Sequence, residues 1–216
     1  MARILWGRDT SSNVMKVIWT LEELGLAYDR RDVGGKYGQT DTPAYRAMNP
    51  TGLVPTLQED GFTLWESNAV CRYLCAAYAP GHAAGHSPGN ALYPADPRAR
   101  ARVDQWMDAQ QTVLNRPMAA VFWGLVRTPP EKRDAAAIAA GVAEAAKAYG
   151  LIGAELTRHP YVAGETLTLA DIPWGVHVHR WFTMAFDRPE VPGLRAWYER
   201  LLARPAYRAH IARPLE

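Results

Sequence analysis

Asn49-Pro50-Thr51-Gly52-Leu53-Val54-Pro55-Thr56-Leu57, followed shortly by Trp65-Glu66-Ser67-Asn68, decides how this chain of 216 residues is read. The first stretch is a loop that ends at a proline and enters a strand; a short hairpin and the start of a helix follow. A cis bond at Val54-Pro55 can turn the backbone sharply there and leave the preceding peptide exposed. Such a peptide can pair, in the manner of an added strand, with an extended peptide ligand. Glu66 then offers a carboxylate to an ammonium group, and Ser67 offers a hydroxyl at a helix N-terminus to a carboxylate. A short peptide with charged ends fits these residues. Each also has a plainer reading: a trans loop proline, a strand-end charge and a helix cap.

Outward from this stretch the pattern extends to both ends. Residues 2–6 are a short apolar run stopped by Gly7, a first strand. Val14, Val17, Ile18, Leu21 and Leu24 recur at helical spacing over 13–24, with Gly25 as the stop. A strand over 28–33 leads to Gly34-Gly35, and 43–48 suits one short helix. The runs 56–58 and 62–65, split by Glu59-Asp60-Gly61, predict a hairpin. A helix over 67–78 carries Val70, Tyr73, Leu74 and Ala77. The order β-α-β-α-β-β-α in residues 1–80 predicts an α/β thioredoxin-like domain. Residues 81–93, rich in Gly and Pro, read as a linker.

No strand pattern follows, so 94–216 is predicted to be an all-α domain. Helices are expected from 97 past 111, over 132–156 after a capped start at Thr128-Pro129-Pro130-Glu131, from 168, and over 192–203. Thr168 and Asp171 are spaced as a capping box with Asp in place of Glu, stapled by Leu167 and Ile172. Pro173 would then lie too deep in the helix and lose a hydrogen bond.

With 48% hydrophobic and 21% charged residues the chain can bury a core, which argues against disorder. A net charge of +2 without long like-charge runs gives no support for a nucleic-acid or membrane-surface partner. No run reads as a membrane span or leader, so a cytoplasmic protein is expected. Cys71 and Cys75, one helical turn apart, suit a disulfide poorly and read as packed thiols. His177 and His179 face different ways on a helix, which argues against a shared metal; no metal is expected.

Together, the thioredoxin-like half, the Pro/Gly linker, the helical half, Val54-Pro55, Glu66-Ser67 and the Thr168–Asp171 box resemble the cytosolic glutathione transferase superfamily over essentially the whole chain. Trp6-Gly7-Arg8, Ser11-Ser12-Asn13-Val14, Leu21-Glu22-Glu23-Leu24, Leu64-Trp65-Glu66-Ser67-Asn68-Ala69 and Leu125-Val126-Arg127-Thr128-Pro129-Pro130-Glu131 look most like the bacterial glutathione transferase B type. The resemblance implies glutathione as co-substrate, bound by Val54, Pro55, Glu66 and Ser67, with Gln39 and Thr40 (and, more weakly, Lys36) near its glycyl end. It implies a small electrophile as second substrate and a homodimer active in detoxification.

Such an enzyme must present a thiolate near neutral pH, although a free thiol titrates near about 8.5. Each unit of lowering needs about 1.4 kcal/mol of preferential anion stabilisation. A hydroxyl or amide donor beside a helix N-terminus supplies that. Families of this kind use Tyr, Ser or Cys there; here the resemblance favours Ser11 and Asn13 as donors, with Ser12 next. Helix capping is the competing role for all three.

The electrophile is expected against the first helices of the all-α half, near Trp106, Gln110, Trp123 and Arg127. An arginine there would favour a halogenated or other anionic substrate. A Trp on an amphipathic helix is more commonly core, and an Arg beside a Thr-Pro-Pro turn more commonly surface. Two alternatives share the same site: a glutathione-dependent disulfide oxidoreductase, and a non-enzymatic glutathione- or ligand-binding scaffold.

Overall fold

The computed structural model of the chain describes residues 3–78 and 89–215, residues 89 and 90 by backbone alone. The chain divides into two compact units, Met1–Tyr93 and Pro94–Glu216. Of the predicted linker 81–93, residues 81–88 lie outside the described part.

In the first unit, β1 (Arg3–Trp6) leads into α1 (Ser12–Glu23), β2 (Asp29–Arg31), a 3₁₀ turn (Gly35–Tyr37) and α2 (Pro43–Met48). Then come β3 (Thr56–Glu59), β4 (Phe62–Trp65), α3 (Ser67–Ala77) and the short α4 (Gly89–Leu92). The sheet order is β2-β1-β3-β4, with β1 parallel to β2 and antiparallel to β3. This is the predicted α/β architecture. Glu59 joins β3 and pairs with Phe62, which shortens the expected three-residue connection to Asp60-Gly61. Both turn residues have positive φ, as a two-residue hairpin whose twist matches its strands requires.

Packing of α1 against α3 follows from their apolar stripes. Val14, Val17 and Leu21 of α1 and Val70, Cys71, Leu74 and Cys75 of α3 have no exposed surface. Burying a large apolar side chain of this kind stabilises by roughly 1.5–3 kcal/mol. The β3–β4 end of the sheet is held differently. Arg3 pairs with the buried Glu59, which also accepts from Tyr73 Oη at 2.8 Å and from Tyr78 Oη. Burial opposes ionisation of Glu59, but the two tyrosine hydrogen bonds and Arg3 prevail and hold its carboxyl below the usual range.

The second unit is helical: α5 (Pro97–Ala109), α6 (Asn115–Phe122), α7 (Ala135–Leu156), α8 (Asp171–Thr183), α9 (Leu194–Leu202) and α10 (Pro205–His210). Two π-helical segments, Gln110–Leu114 and Trp123–Arg127, flank α6. Pro117, which cannot donate to the carbonyl four residues back, follows the first of them. Among the described residues of this unit the only strand-like pairing is one bridge between Tyr161 and Gly164.

Four expectations are corrected here. Thr128-Pro129-Pro130-Glu131 does not start the long helix: a 3₁₀ turn, Pro130–Lys132, intervenes, and Asp134 caps α7 by accepting from the Ala137 amide at 2.9 Å. The capping box is only half made. Asp171 Oδ2 accepts from the Thr168 amide at 2.9 Å, but the Thr168 hydroxyl accepts from Ala170, not Asp171. Because α8 begins at Asp171, Pro173 falls in the first turn, where amides have no intrahelical partner, and no hydrogen bond is lost. The chain also continues past the last predicted helix into α10, which opens with Pro205 at its first position.

One more difference concerns α7. Its 22 residues have a mean hydropathy of 1.3 over the best window, long and apolar enough to cross a membrane by composition alone. Alanine carries that value, and the helix turns Val142, Ala145, Tyr149 and Ile152 into the core of its own unit.

Candidate functional site

Strand register assembles the site. Trp6 pairs with Thr56, and Thr56 pairs with Trp65, so the end of β1, the start of β3 and the end of β4 form one row. Gly7 to Ser11, Val54-Pro55 and Glu66-Ser67 all begin immediately beyond that row. Helices α1 and α3 both start from this end, so two helix N-termini, each equivalent to roughly half a positive charge, converge on it. The Arg3–Glu59 pair lies at the opposite end of the same strands.

Gly7 shows how close the pieces are. A Cβ there would lie 2.4 Å from Val14 Cγ2 and 3.3 Å from Val54 Cβ, so only glycine lets α1 and the Val54 loop meet. A Cβ on Gly34 would lie 3.3 Å from Val54 Cγ1, 3.5 Å from Thr40 Cγ2 and 3.2 Å from an Arg8 guanidinium nitrogen. The Gln39–Thr40 turn is therefore a neighbour of the Val54 loop. Gln39 is exposed, with φ of 70°, and its carbonyl accepts from the Thr42 hydroxyl at 2.8 Å. Lys36 is exposed on the same turn.

Val54-Pro55 is cis. Asn49 and Tyr45, neither of them singled out from sequence, hold the loop around it. Asn49, 1% exposed, donates to Leu53 O at 2.9 Å and to Thr56 Oγ1 at 3.1 Å, and accepts from the Thr51 amide and hydroxyl. Tyr45 Oη reaches Leu53 O at 2.7 Å and Thr56 Oγ1 at 3.0 Å. Neighbouring groups are thus tied down, while the Val54 N–H and C=O find no partner among the described residues. The sequence signal for this hub is place alone: Asn49 directly precedes the Pro50-Thr51-Gly52 loop and Tyr45 lies one helix turn earlier.

Ser11 occupies the N-cap position of α1 by backbone, yet its side chain makes no capping hydrogen bond. The capping role that competed with thiol activation is not taken by its hydroxyl. Ser12 is the first helical residue, half-buried. Asn13 Oδ1 accepts from Ser67 Oγ at 3.4 Å, which joins the two helix starts and leaves the Asn13 amide nitrogen as a donor. Glu66 is the N-cap residue of α3 with φ of 70° and ψ of 110° and no side-chain cap bond. A non-glycine residue in such a conformation costs about 1–3 kcal/mol and persists where its surroundings fix it.

Cys71 and Cys75 are both buried and free. Burial pushes the Cys71 thiol up to about 11, against a hydrogen bond from Thr20 Oγ1 at 3.2 Å, and pushes Cys75 up as well. Neither is a nucleophile at neutral pH.

In the helical unit the four residues expected at the electrophile divide. Trp123 is 64% exposed and Arg127 is exposed, its guanidinium 5.6 Å from the Phe122 ring. Trp106 is half-buried, edge-on to Trp174, whose indole N–H donates to its carbonyl at 2.8 Å. Gln110, at the start of the first π segment, has no exposed surface.

Residues 5–82 match the family model of the glutathione S-transferase N-terminal domain, and residues 135–200 that of the C-terminal domain. The chain belongs to the glutathione S-transferase family. It is 38% identical over 213 residues to glutathione S-transferase GstB of Escherichia coli K12, covering 98% of each chain. It is 30% identical to glutathione S-transferase 3 of Zea mays over 96% of this chain and 92% of the other. A theta class glutathione S-transferase from Xanthomonas axonopodis pv. citri, with glutathione bound, superposes with a TM-score of 0.91 at 46% identity, covering 100% and 99% of the two chains.

Proposed function

We propose that the chain binds glutathione at the sheet end marked by Trp6, Thr56 and Trp65 and directs its thiolate at a small electrophile. The observation that carries this is the convergence of Ser11, Asn13, Val54, Glu66 and Ser67 beyond a single row of paired strand residues. The Val54 peptide pairs with the cysteinyl backbone of the ligand, as an added strand would. Glu66 receives the ligand's ammonium, and Ser67 with the α3 N-terminus receives the adjacent carboxylate. Gln39 and Thr40 meet the glycyl end. The Ser11 hydroxyl and Asn13 amide donate to the sulfur, with Ser12 as the alternative donor, and the α1 N-terminus adds its field.

The thiolate then attacks an electrophilic carbon, the new C–S bond forming as a halide or other leaving group departs. The thiol proton goes to solvent. The electrophile is carried by the helical unit near Trp123, Arg127 and Trp106, and exposed Arg127 favours a halogenated acid or another anion. Two buried free thiols suit a reducing compartment, so this reading includes a cytoplasmic protein. It includes the homodimer and the detoxifying role that the resemblance implies.

Initial rates with glutathione and an aryl halide, then with a haloacid, test it. Turnover in both, with Glu66→Ala raising the KM for glutathione at least ten-fold, is the expected result. Arg127→Ala is expected to slow the haloacid and spare the aryl halide. Reduction of mixed disulfides without transfer to either carbon electrophile would instead establish the oxidoreductase, and absence of glutathione binding would leave a scaffold.

A further inference from the structure

Trp6-Gly7-Arg8 is one of the motifs of the sequence, yet the chemistry above makes no use of Arg8. Its amide donates to Val33 O at 3.1 Å, so it continues the β1–β2 pairing beyond the strands. Its half-buried side chain crosses to the turn that follows β2. A Cβ on Gly35 would lie 3.0 Å from Arg8 Nε, 3.1 Å from Cδ and 3.2 Å from Cζ, so the guanidinium lies against the bare Cα of a glycine. A Cβ on Gly34 would lie 3.2 Å from Arg8 Nη1, with Val54 Cγ1 and Thr40 Cγ2 3.3 and 3.5 Å from the same point. The two glycines therefore leave room for one cation beside Val54 and Thr40.

The acids of this corner are matched by another arginine. Arg30 pairs with Asp32 and, at 3.9 Å, with Asp9, so each of them has a cation other than Arg8. An arginine carries five N–H donors in a fixed fork, enough to be held by the protein and still present two to a carboxylate.

Strand order decides which part of a ligand meets Arg8. Glu66 and Ser67 follow β4 at one edge of the sheet, Val54 precedes β3, and Gly34-Gly35 follow β2 at the other edge. From β4 to β2 is three strand spacings of about 4.8 Å each. An extended tripeptide, at about 3.3–3.6 Å per residue and lengthened by its γ link, covers that distance. With the γ-glutamyl end at Glu66 and Ser67 and the cysteinyl backbone on Val54, the glycyl carboxylate falls beside Gly34. Gln39 and Thr40 bring no charge to it, and Lys36 is exposed with its ammonium 5.4 Å from the Tyr37 ring.

We infer that Arg8, cradled on Gly34-Gly35 beside Val54 and Thr40, binds the glycyl carboxylate of glutathione and makes the site specific for a ligand with that carboxylate free. This rests on the glutathione-binding reading above. The guanidinium keeps its charge throughout the working pH range, and its fork matches the two carboxylate oxygens as the point charge of a lysine does not.

The test is calorimetric titration of the full chain, Arg8→Met and Arg8→Lys with two probes. One is S-methylglutathione; the other is the same compound with its glycyl carboxylate converted to the neutral amide. The parent chain is expected to bind the acid at least ten-fold more tightly than the amide. Arg8→Met is expected to lose about ten-fold on the acid and to stay within two-fold on the amide, so that the discrimination disappears. Arg8→Lys is expected to lose about three-fold on the acid alone. A parent chain that binds acid and amide equally would overturn the inference, and that comparison needs no variant to fold. So would an Arg8→Met chain that binds the acid as the parent does, or one that loses equally on both probes, which is the mark of a merely structural residue. A parent chain that binds neither probe would overturn the glutathione site itself.

Discussion

The start of α1 and the start of α8 each bury an ionisable side chain completely, and the two are held in opposite ways. Asp171 at α8 accepts from the Val162 and Thr168 amides at 2.9 Å, the Thr168 hydroxyl at 3.3 Å and the Trp197 indole at 3.0 Å. Most of those donors are short-range or backbone groups, and they knit a helix start, a bridge segment and α9 together. Lys16 at α1 is buried as completely, and that burial is the main cause of its lowered pKa. Asp171 thereby ties three segments together, whereas the charge of Lys16 weighs chiefly on stability.

Their titrations mirror each other. Burial pushes Asp171 up to about 6 against its four hydrogen bonds, and burial pulls Lys16 down to about 8. For Asp171 the folded value exceeds the ordinary value of 3.8, so its contribution is fully present below 3.8 and lost as pH rises through about 6. For Lys16 the folded value lies below 10.5, so its contribution is present above 10.5 and lost as pH falls through about 8. Between these values both groups are charged and both charges weigh against folding.

The largest effect is expected from Asp171→Ala. It leaves buried donors on Val162, Thr168 and Trp197 unpaired and should cost about 3–5 kcal/mol, read as a fall in the urea midpoint. Lys16→Met should act in the opposite direction at pH 7. Removing a buried charge while keeping volume is expected to stabilise by roughly 2–4 kcal/mol. A loss of stability there would mark Lys16 as a structural residue like Asp171 and dissolve the contrast. In urea series over pH, the parent chain should gain stability relative to Lys16→Met from about 8 to 10.5. Thr20→Val is the smallest: it removes the hydroxyl bonds to Lys16 O and Cys71 Sγ and should cost about 1 kcal/mol.

Legibility followed the same divide. The Asp171 contact to Thr168 was readable because both partners lie three positions apart, and so were the hairpin and the Ser67 helix start. Asp171 reaching Val162 and Trp197 was not, nor was Asn49 as the hub of the Val54 loop, because those partners meet only after folding. The π segments beside α6 left no trace in apolar periodicity. Lys16 carries a signal of its own: a lysine inside the apolar run from Val14 to Leu21 with no acid one turn away. The burial of Gln110 was not readable for the converse reason, since a polar side chain on an amphipathic helix reads as exposed until its register is known.

The most direct test of thiol activation at the α1 start is the ultraviolet absorbance of bound glutathione thiolate against pH, in the parent chain and in Ser11→Ala and Asn13→Ala. The expected result is a bound thiol pKa at least one unit below the free value of about 8.5, raised by about a unit in one or both variants. A bound thiol that titrates at its free value in the parent chain, or one that neither substitution moves, would contradict activation by the donors at the start of α1.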